Sequence, residues 1–284
     1  YYSRKLYLLP VQLLGKLTTA PRTLLLPLEL LDESDRVQED TAFGALFLIS
    51  GKNETLRVNG RVQSIDSGLA LIQVEECYLH CAKAFMRSGF WDTPPPDDIP
   101  TETYRFLAVS RFMALATSHD GGADLSPKGD PAGALLSPYD GAIWYPDRPG
   151  NRRIDSFRNI LSQPNVALLA LIPGCEQVVE VSGRAEITTD DTMRQVFAVQ
   201  GNVPKLVTRV IPQGATLKHS PALARARLWP AATPPEDLEA PAIFKAHLKL
   251  NQTKGLSATL TRAATSIPGA MEKGLAYDYK KNLY

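Results

Sequence analysis

The segment Leu168–Arg184 reads LLALIPGCEQVVEVSGR, with an apolar run, a turn on Pro-Gly and a second run of alternating character. This pattern is typical of an antiparallel β-hairpin with one buried face. The segment Ala45–Arg61 reads ALFLISGKNETLRVNGR and aligns with it without a gap, at a constant offset of 123 residues. We therefore predict that the chain forms the same hairpin twice.

A weaker match follows each hairpin, between His80–Trp91 and His219–Trp229. Both stretches hold a histidine near the start and an arginine four residues before a tryptophan. Stretches rich in proline and acid follow at 92–98 and 230–237, where domain boundaries are expected. Related units in one chain commonly imitate a symmetric dimer, so we predict an intramolecular pseudo-dimer, with a homodimer as the alternative assembly. The predicted parts are a partial or degenerate unit (1–92), a complete unit (93–240) and a helical tail (241–284).

Composition and charge exclude several classes of protein. Of 284 residues, 44% are hydrophobic and 21% are charged, and the formal net charge is +1. These values indicate a folded globular chain without an overall field for nucleic acid. The longest apolar runs, such as Val166–Pro173, are far shorter than a bilayer span of about 18 residues. We expect a cytoplasmic protein that binds neither nucleic acid nor membrane.

The cluster Cys77–Cys81 (CYLHC) superficially resembles a metal site. No second Cys/His pair completes a tetrahedral set, so we predict no metal. Apolar residues recur here at helical spacing, which favours an amphipathic helix with His80 in a structural role. The apolar positions are Tyr78, Leu79, Ala82, Phe85 and Met86.

The second unit shows a succession of short β segments with one helix inserted. This order favours a mainly β fold with peripheral helices, a small barrel, over a doubly wound parallel sheet, which would need a helix between every pair of strands. A tight turn is predicted at Asp120–Gly122. The predicted strands are Arg111–Thr117, Ala123–Pro127, Ala142–Tyr145, Val166–Ile172 and Gln177–Ile187, and the predicted helices are Thr101–Val109 and Ile154–Leu161.

The stretch Tyr145–Asp155 (YPDRPGNRRID) leaves a strand, turns on Pro-Gly and enters a helix, with Asn151 placed as the N-cap. Three arginines beside the amides of a helix start can hold phosphate oxygens: Arg148, Arg152 and Arg153. The alternative is a solvated helix start whose arginines pair with Asp147 and Asp155. Nearby, Ser126–Asp130 (SPKGD) ends a predicted strand with a lysine and a glycine, where a ligand can approach closely, although a surface turn has the same composition.

These motifs together resemble the pyridoxamine 5'-phosphate oxidase-like family of flavin-nucleotide-binding proteins, in a tandem form. In the second unit the resemblance rests on LATSHDGGADLSPKGDP, YPDRPGNRRIDSFRNILSQPNVALLALIPG and VSGRAEITTD. In the first unit it rests on ISGKNETLRVNGR and VEECYLHCAKAFMRSGFW.

The resemblance implies a split β-barrel that binds FMN at the interface of two barrels. It places Arg152 and Arg153 at the phosphate-facing helix start, Ser126 and Lys128 on the strand lining the flavin, and Arg148 with Asn151 in the connecting turn. In the first unit the equivalent stretch reads LELLDESDRVQED, with acids in place of the basic turn. A second FMN site is therefore not expected, and the first unit is expected to form the opposite wall of the FMN site in the second unit.

The resemblance predicts an FMN-binding oxidoreductase in which flavin N5 exchanges hydride with a small-molecule substrate; no catalytic residue is assigned. A flavin or haem protein that binds or senses without turnover is the alternative, and a purely structural tandem barrel is a third hypothesis. Arg57 and Arg61 could reach the flavin edge, although exposed basic strand positions are common. Trp91 and Trp229 are expected to seal helix ends.

Overall fold

The computed structural model describes residues 18–20, 22–119, 122–151, 153–234, 242–243, 274, 277–279 and 281–284. Arg152, most of the predicted turn at 120–122 and most of the predicted tail therefore lie outside the described residues. Among the described residues, no helix combines the length and apolar character that crossing a bilayer requires.

The N-terminal part of the chain forms a five-stranded antiparallel sheet. Its strands are β1 (Thr18–Ala20), β2 (Thr23–Pro27), β3 (Ala42–Phe47), β4 (Thr55–Asp66) and β5 (Leu69–His80). Their spatial order is β1-β2-β5-β4-β3. One face buries an aliphatic cluster that includes Leu24, Leu26, Val62 and Ile72. Two 3₁₀ turns, Leu28–Leu30 and Ser34–Arg36, connect β2 to β3.

The following part forms a seven-stranded antiparallel sheet. Its strands are β6 (Phe112–His119), β7 (Gly122–Gly129), β8 (Ser137–Tyr139), β9 (Ala142–Pro146), β10 (Asn165–Leu171), β11 (Gln177–Thr188) and β12 (Val207–His219). Their spatial order is β7-β6-β10-β11-β12-β9-β8. Short helices lie at the periphery: α1 (Lys83–Ser88), α2 (Thr103–Val109), α3 (Asp155–Ser162), α4 (Asp191–Val196) and α5 (Pro221–Ala226). The predicted mainly β fold with peripheral helices is confirmed, whereas closure into a barrel and the pseudo-dimer stay predictions.

Both predicted hairpins are present, and their strand registers match. In the first hairpin Ala45 pairs with Val58, and in the second Leu168 pairs with Val181, so both members of each pair keep the offset of the repeat. Each hairpin's second strand then pairs with a further antiparallel strand, β5 in one case and β12 in the other. The arrangement that occurs twice is therefore three antiparallel strands, the predicted hairpin and the strand that follows it.

A β-bulge occurs at the same repeat position in both sheets, between Asn59 and Gly60 and between Ser182 and Gly183. A Cβ atom added to Gly60 would lie 2.1 Å from the carbonyl oxygen of Gln73, and one added to Gly183 would lie 2.4 Å from that of Ile211. No side chain fits at such distances. The glycine of each Gly-Arg ending is therefore required by close approach of the neighbouring strand.

The predicted helix around Cys77–Met86 is wrong in its first half. Residues up to His80 belong to β5, where Cys77 pairs with Val58 and His80 pairs with Thr55, and α1 begins only at Lys83. Pairing with a full-length neighbouring strand thus overrides the helical spacing of the apolar residues.

Strand β12, at Val207–His219, is absent from the prediction because Pro212 and Gly214 interrupt its sequence pattern. Pro212 pairs with Gly183, next to the bulge of β11. A residue without an N–H is tolerated where the hydrogen-bond ladder is already irregular.

An aromatic cluster joins the two parts of the molecule. The rings of Phe85 and Phe90 are tilted towards each other with centroids 4.7 Å apart, and the ring centroids of Trp91 and Trp229 are 6.4 Å apart. Trp91 donates through Nε1 to the carbonyl oxygen of Lys52, and Trp229 donates to that of Phe90. The expected packing role of both tryptophans is confirmed.

Candidate functional site

A cleft of about 270 Å³ lies where the second sheet meets α1 of the N-terminal part. Its walls are the end of β7, the turn after β9, and the junction between β5 and α1. The five predicted cofactor residues that the structure describes all line this cleft: Ser126, Lys128, Arg148, Asn151 and Arg153. The assignment of Arg152 stays a prediction, because that residue is not described.

Lys128 lies on the same face of β7 as Ser126, because residues two apart in a strand point the same way. Its Nζ is 5.6 Å from the centroid of the Tyr145 ring. Among the described residues, none forms a hydrogen bond or an ion pair with this ammonium. Desolvation lowers the pKa of Lys128, an effect that the charge of Asp147 opposes. An anionic ligand would supply the partner that this cation lacks.

The turn after β9 is held by the side chain of Asn151, whose Oδ1 accepts a hydrogen bond from the backbone N of Arg153 at 3.0 Å. The prediction of Asn151 as helix N-cap is wrong. Helix α3 begins four residues later, at Asp155, and Ile154 occupies the N-cap position without a side-chain bond. Asn151 bonds to the turn itself, in the local side-chain geometry that this residue type favours.

The side chain of Arg148 is buried and holds the turn after β9 in place. It donates through Nε to Asp130 Oδ2 at 2.9 Å and through Nη2 to the carbonyl oxygen of Phe197 at 2.8 Å. The other Asp130 oxygen lies 3.5 Å from Arg87 Nε. Desolvation raises the pKa of Asp130, an effect that both arginines oppose. Arg148 is thus held by the protein through two of its nitrogens.

Arg153 reaches from the turn to the first sheet. Its guanidinium carbon lies 4.0 Å from the ring centroid of Tyr78, and its Nε donates to Asp155 Oδ2 at 2.7 Å. Glu76 is 3.8 Å from its Nη2. The alternative raised from the sequence, pairing with Asp155, is therefore present at Arg153, while the same side chain also lines the cleft.

Helix α1 supplies cleft residues that sequence analysis did not identify, Lys83 and Arg87. The helix can dock because Gly129 has no side chain: a Cβ there would lie 2.0 Å from the carbonyl oxygen of Ala84. Arg87 then donates to the carbonyl oxygens of Gly129, at 2.9 Å, and Pro149, at 3.0 Å. The glycine predicted to admit a ligand instead admits a helix. The shared arginine four residues before each tryptophan was the sequence signal for Arg87.

His80, at the end of β5, is buried in the cleft wall and contacts the turn. Asn151 Nδ2 lies 3.4 Å from His80 Nε2, which accepts when the ring is neutral. Desolvation, with repulsion from Arg57, lowers the pKa of His80 to about 4. A neutral ring therefore positions Asn151 at neutral pH.

Arg57 is buried, not exposed as one interpretation of the sequence held. It forms an ion pair with Asp124, and its Nη1 donates to Ser126 Oγ at 3.3 Å. Ser126 Oγ is in turn 3.0 Å from Ser156 Oγ at the start of α3. This polar network joins β4 of the first sheet to β7 of the second and fixes Ser126 beside the cleft.

The site therefore combines three features. The ammonium of Lys128 has no hydrogen bond or close ion pair within the described part of the chain, the side chain of Asn151 closes the turn after β9, and α1 supplies further cations. Such an arrangement can bind a small anionic group and orient whatever is attached to it. Within the described residues, no group of three or more His, Cys, Asp or Glu side chains could hold a metal ion.

The fold and the cleft describe a mainly antiparallel β protein in which basic side chains line a cleft between the second sheet and α1. A family model described as pyridoxamine 5'-phosphate oxidase matches residues 99–222. This part of the chain, which contains every predicted site residue, is thus similar to the pyridoxamine 5'-phosphate oxidase-like family. The resemblance stated from the sequence is confirmed, and its tandem form stays a prediction. No curated protein matches the chain.

Several solved structures match less than half of the chain, each at low sequence identity. HupZ of Group A Streptococcus is 16% identical and matches 43% of this chain and 95% of its own, with a TM-score of 0.34. General Stress Protein 26 of Bacillus anthracis is 17% identical over 40% and 90%, with a TM-score of 0.33. The FAD binding protein of Mycobacterium smegmatis is 17% identical over 45% and 99%, with a TM-score of 0.31.

Proposed function

We propose that the cleft binds flavin mononucleotide through its phosphate and that the protein is an FMN-dependent oxidoreductase acting on a small molecule. The observation that carries this proposal is the ammonium of Lys128, which lines the cleft and has no hydrogen bond or close ion pair with a described residue, Asp147 acting on it only at longer range. A partly buried cation without a partner is costly, and a phosphate would remove that cost.

The residues present fit a nucleotide of this kind. Lys128 would contact the phosphate directly, and Arg153 and Arg152 would add charge from the turn. Arg148 and Asn151 hold the turn in shape, and Ser126, fixed by Arg57, lines the strand that the isoalloxazine would face.

Substitution of Lys128 tests the proposal. A charge-assisted hydrogen bond contributes about 1.5–3 kcal/mol, so Lys128→Met should weaken FMN binding by roughly 10- to 100-fold. Flavin fluorescence during titration of the purified apoprotein measures the dissociation constant. The matched control is Lys205→Met, which removes an exposed lysine from the same part of the chain and should leave FMN affinity unchanged.

Equal affinity of wild type and Lys128→Met would contradict the proposed site. A copurifying chromophore with a Soret band in place of a flavin spectrum would contradict the choice of cofactor and favour haem. Binding of riboflavin as tightly as FMN would contradict the role of the phosphate.

Turnover is the second part of the proposal. Bound flavin supplies hydride transfer through N5, while the chain binds it, orients it and limits water access. We expect a nicotinamide to reduce the protein-bound flavin and dioxygen or a small acceptor to reoxidise it, as followed by flavin absorbance. A flavin that binds but is neither reduced nor reoxidised would show a carrier or sensor.

We further propose that one chain builds the site alone, because α1 of the first part already supplies its opposite wall. The expected stoichiometry is one FMN per chain in a monomeric protein, measured by absorbance and solution mass. Occupancy that appears only in a homodimer would contradict this assembly.

A further inference from the structure

Residues 277–279 and 281–284, called here the tail segment, lie against the basic side of the cleft. Asp278 Oδ2 is 2.7 Å from Lys83 Nζ, and the backbone N of Ala82 donates to Tyr279 Oη at 3.3 Å. Arg87 Nη1 donates to the carbonyl oxygen of Leu283 at 2.9 Å. Residues about 200 positions apart in sequence are thus joined by three polar contacts.

The tail segment also reaches the turn on the far side of the cleft. The ring centroid of Tyr284 lies 5.5 Å from the guanidinium carbon of Arg148, within the range of a cation–π contact. Burial raises the pKa of Tyr284, so its hydroxyl stays neutral. The segment therefore contacts both α1 and the turn, two of the elements whose cations line the cleft.

The carboxylate of Asp278 is held in place for its contact with Lys83. Asn282 donates through Nδ2 to Asp278 Oδ1 at 2.9 Å and through its backbone N to the Asp278 carbonyl oxygen at 3.0 Å. The Lys83 side chain is only 3% exposed, whereas that of Asp278 is 41% exposed. The buried partner belongs to the cleft and the exposed partner to the tail segment, so the contact can open from the tail side.

Three cleft-lining cations, Lys83, Arg87 and Arg148, thus contact the chain's own tail segment. A bound anion would draw on the same charges, and two anions cannot both neutralise Lys83 at close range without repelling each other. Any ligand whose phosphate approaches α1 must therefore compete with Asp278.

We propose that the tail segment is an intramolecular lid that competes with an anionic ligand for the cations of the cleft. This inference rests on the proposed function, since it concerns regulation of the same site. Binding of ligand and docking of the tail segment are then coupled and reciprocal: each weakens the other.

Substitution of Asp278 tests the competition. Asp278→Asn keeps the shape of the side chain and removes its charge, so it should tighten FMN binding about tenfold, within the usual range of such couplings. Inorganic pyrophosphate, measured in parallel by calorimetry, should show the same gain. Asp98→Asn, at an exposed aspartate in the loop between α1 and α2, is the matched control and should change neither affinity.

Hydrogen exchange of the tail segment gives a second readout. In the ligand-free protein Lys83→Met should accelerate exchange at 277–284, and in the wild type added FMN or pyrophosphate should do the same. Exchange that slows on ligand binding would show that the segment completes the bound site, which overturns the competition. Unchanged affinity in Asp278→Asn would overturn it as well.

The two proposals fail in different ways. If pyrophosphate binds and competes while FMN does not bind, the proposed function is wrong and the lid stands. If FMN binds equally to wild type and Asp278→Asn, the proposed function stands and the lid is wrong.

Discussion

Helices α1 and α5 follow the two matching hairpins, yet the segments that they contact carry charges of opposite sign. Helix α1 contacts the basic turn at the cleft, whereas α5 contacts the acidic stretch Glu29–Glu33, a contact called here the acidic junction. There Asp32 accepts from the backbone N of Ala222 through Oδ1 at 2.8 Å and from Ser220 Oγ through Oδ2 at 2.5 Å. A carboxylate from the chain itself occupies the start of α5.

The basic residues of the acidic junction are also satisfied internally. Arg225 donates to the carbonyl oxygen of Leu30 at 3.2 Å, and Lys218 pairs with Glu33 at 3.1 Å and with Glu180 at 2.9 Å. The cleft, by contrast, retains Lys128 without such a partner in the described part of the chain. Similar local geometry thus leaves the charges paired at α5, whereas the cleft keeps a lysine that a ligand could pair with.

The largest expected effect comes from the ion pair that joins the two sheets near the cleft. Arg57→Met leaves the buried carboxylate of Asp124 without its partner, which should cost about 3–5 kcal/mol of unfolding free energy. Lys218→Met removes the partly exposed ion pair at the acidic junction and should cost less than about 1 kcal/mol. Denaturant unfolding measures both, and similar losses would show that the two contacts are energetically alike.

The two histidines of the repeat should differ in their effect on pH dependence. The pKa of His80 is lowered to about 4 in the folded state, below its usual value of about 6.5, so the unfolded chain binds a proton first as pH falls. Protonation of His80 in the unfolded chain therefore lowers the free energy of unfolding. The loss is absent above about pH 6.5 and grows to about 3 kcal/mol as the pH falls towards 4. Unfolding experiments between about pH 7 and pH 4.5 measure it.

His80→Gln should flatten this pH dependence relative to the wild type. His219→Gln, at the exposed ring 3.2 Å from Glu176, is the matched variant and should retain the acid loss. If both variants follow the wild-type curve, then the buried position of His80 does not control its protonation.

A smaller effect than at Arg57 or His80 is expected from Asp32 at the acidic junction. Asp32→Ala leaves the Ala222 N–H and the Ser220 hydroxyl without their acceptor, which should cost about 1–2 kcal/mol of unfolding free energy. FMN affinity should not change, because the cleft lies at the other helix. The exposed Asp35→Ala is the control, with an expected change within about 0.5 kcal/mol. Weakened FMN binding in Asp32→Ala would mean that the two regions are coupled.

The sequence alone was enough to predict the hairpins, because their apolar pattern and the two Gly-Arg endings are local signals with a strict geometric cause. Ser126, Lys128 and Asn151 were brought together by the family resemblance and not by a local pattern, because β7 and the turn after β9 are separate segments of the chain. For the hairpins, the physical constraint lies within a few residues of the signal.

The remaining features depend on tertiary contacts that no local pattern reports. The role of Lys83 and Arg87 arises because Gly129 lets α1 dock on a strand about forty residues further along the chain. Arg57 alternates like an exposed strand residue, and only its pairing with Asp124 explains its burial. Arg148 was predicted to bind phosphate, or to pair with a nearby acid of the turn, whereas in the structure it donates to Asp130 and Phe197.

The contact between Gly129 and Ala84 also bears on biosynthesis. A ribosome delivers α1 well before β7 and the turn after β9, so Phe85 and Phe90 have no complete aromatic cluster to enter during that interval. Nascent chains with such exposed apolar surface are prone to aggregate or to recruit chaperones. Slow decoding between residues 92 and 130 would prolong that exposure and lower the yield of native protein.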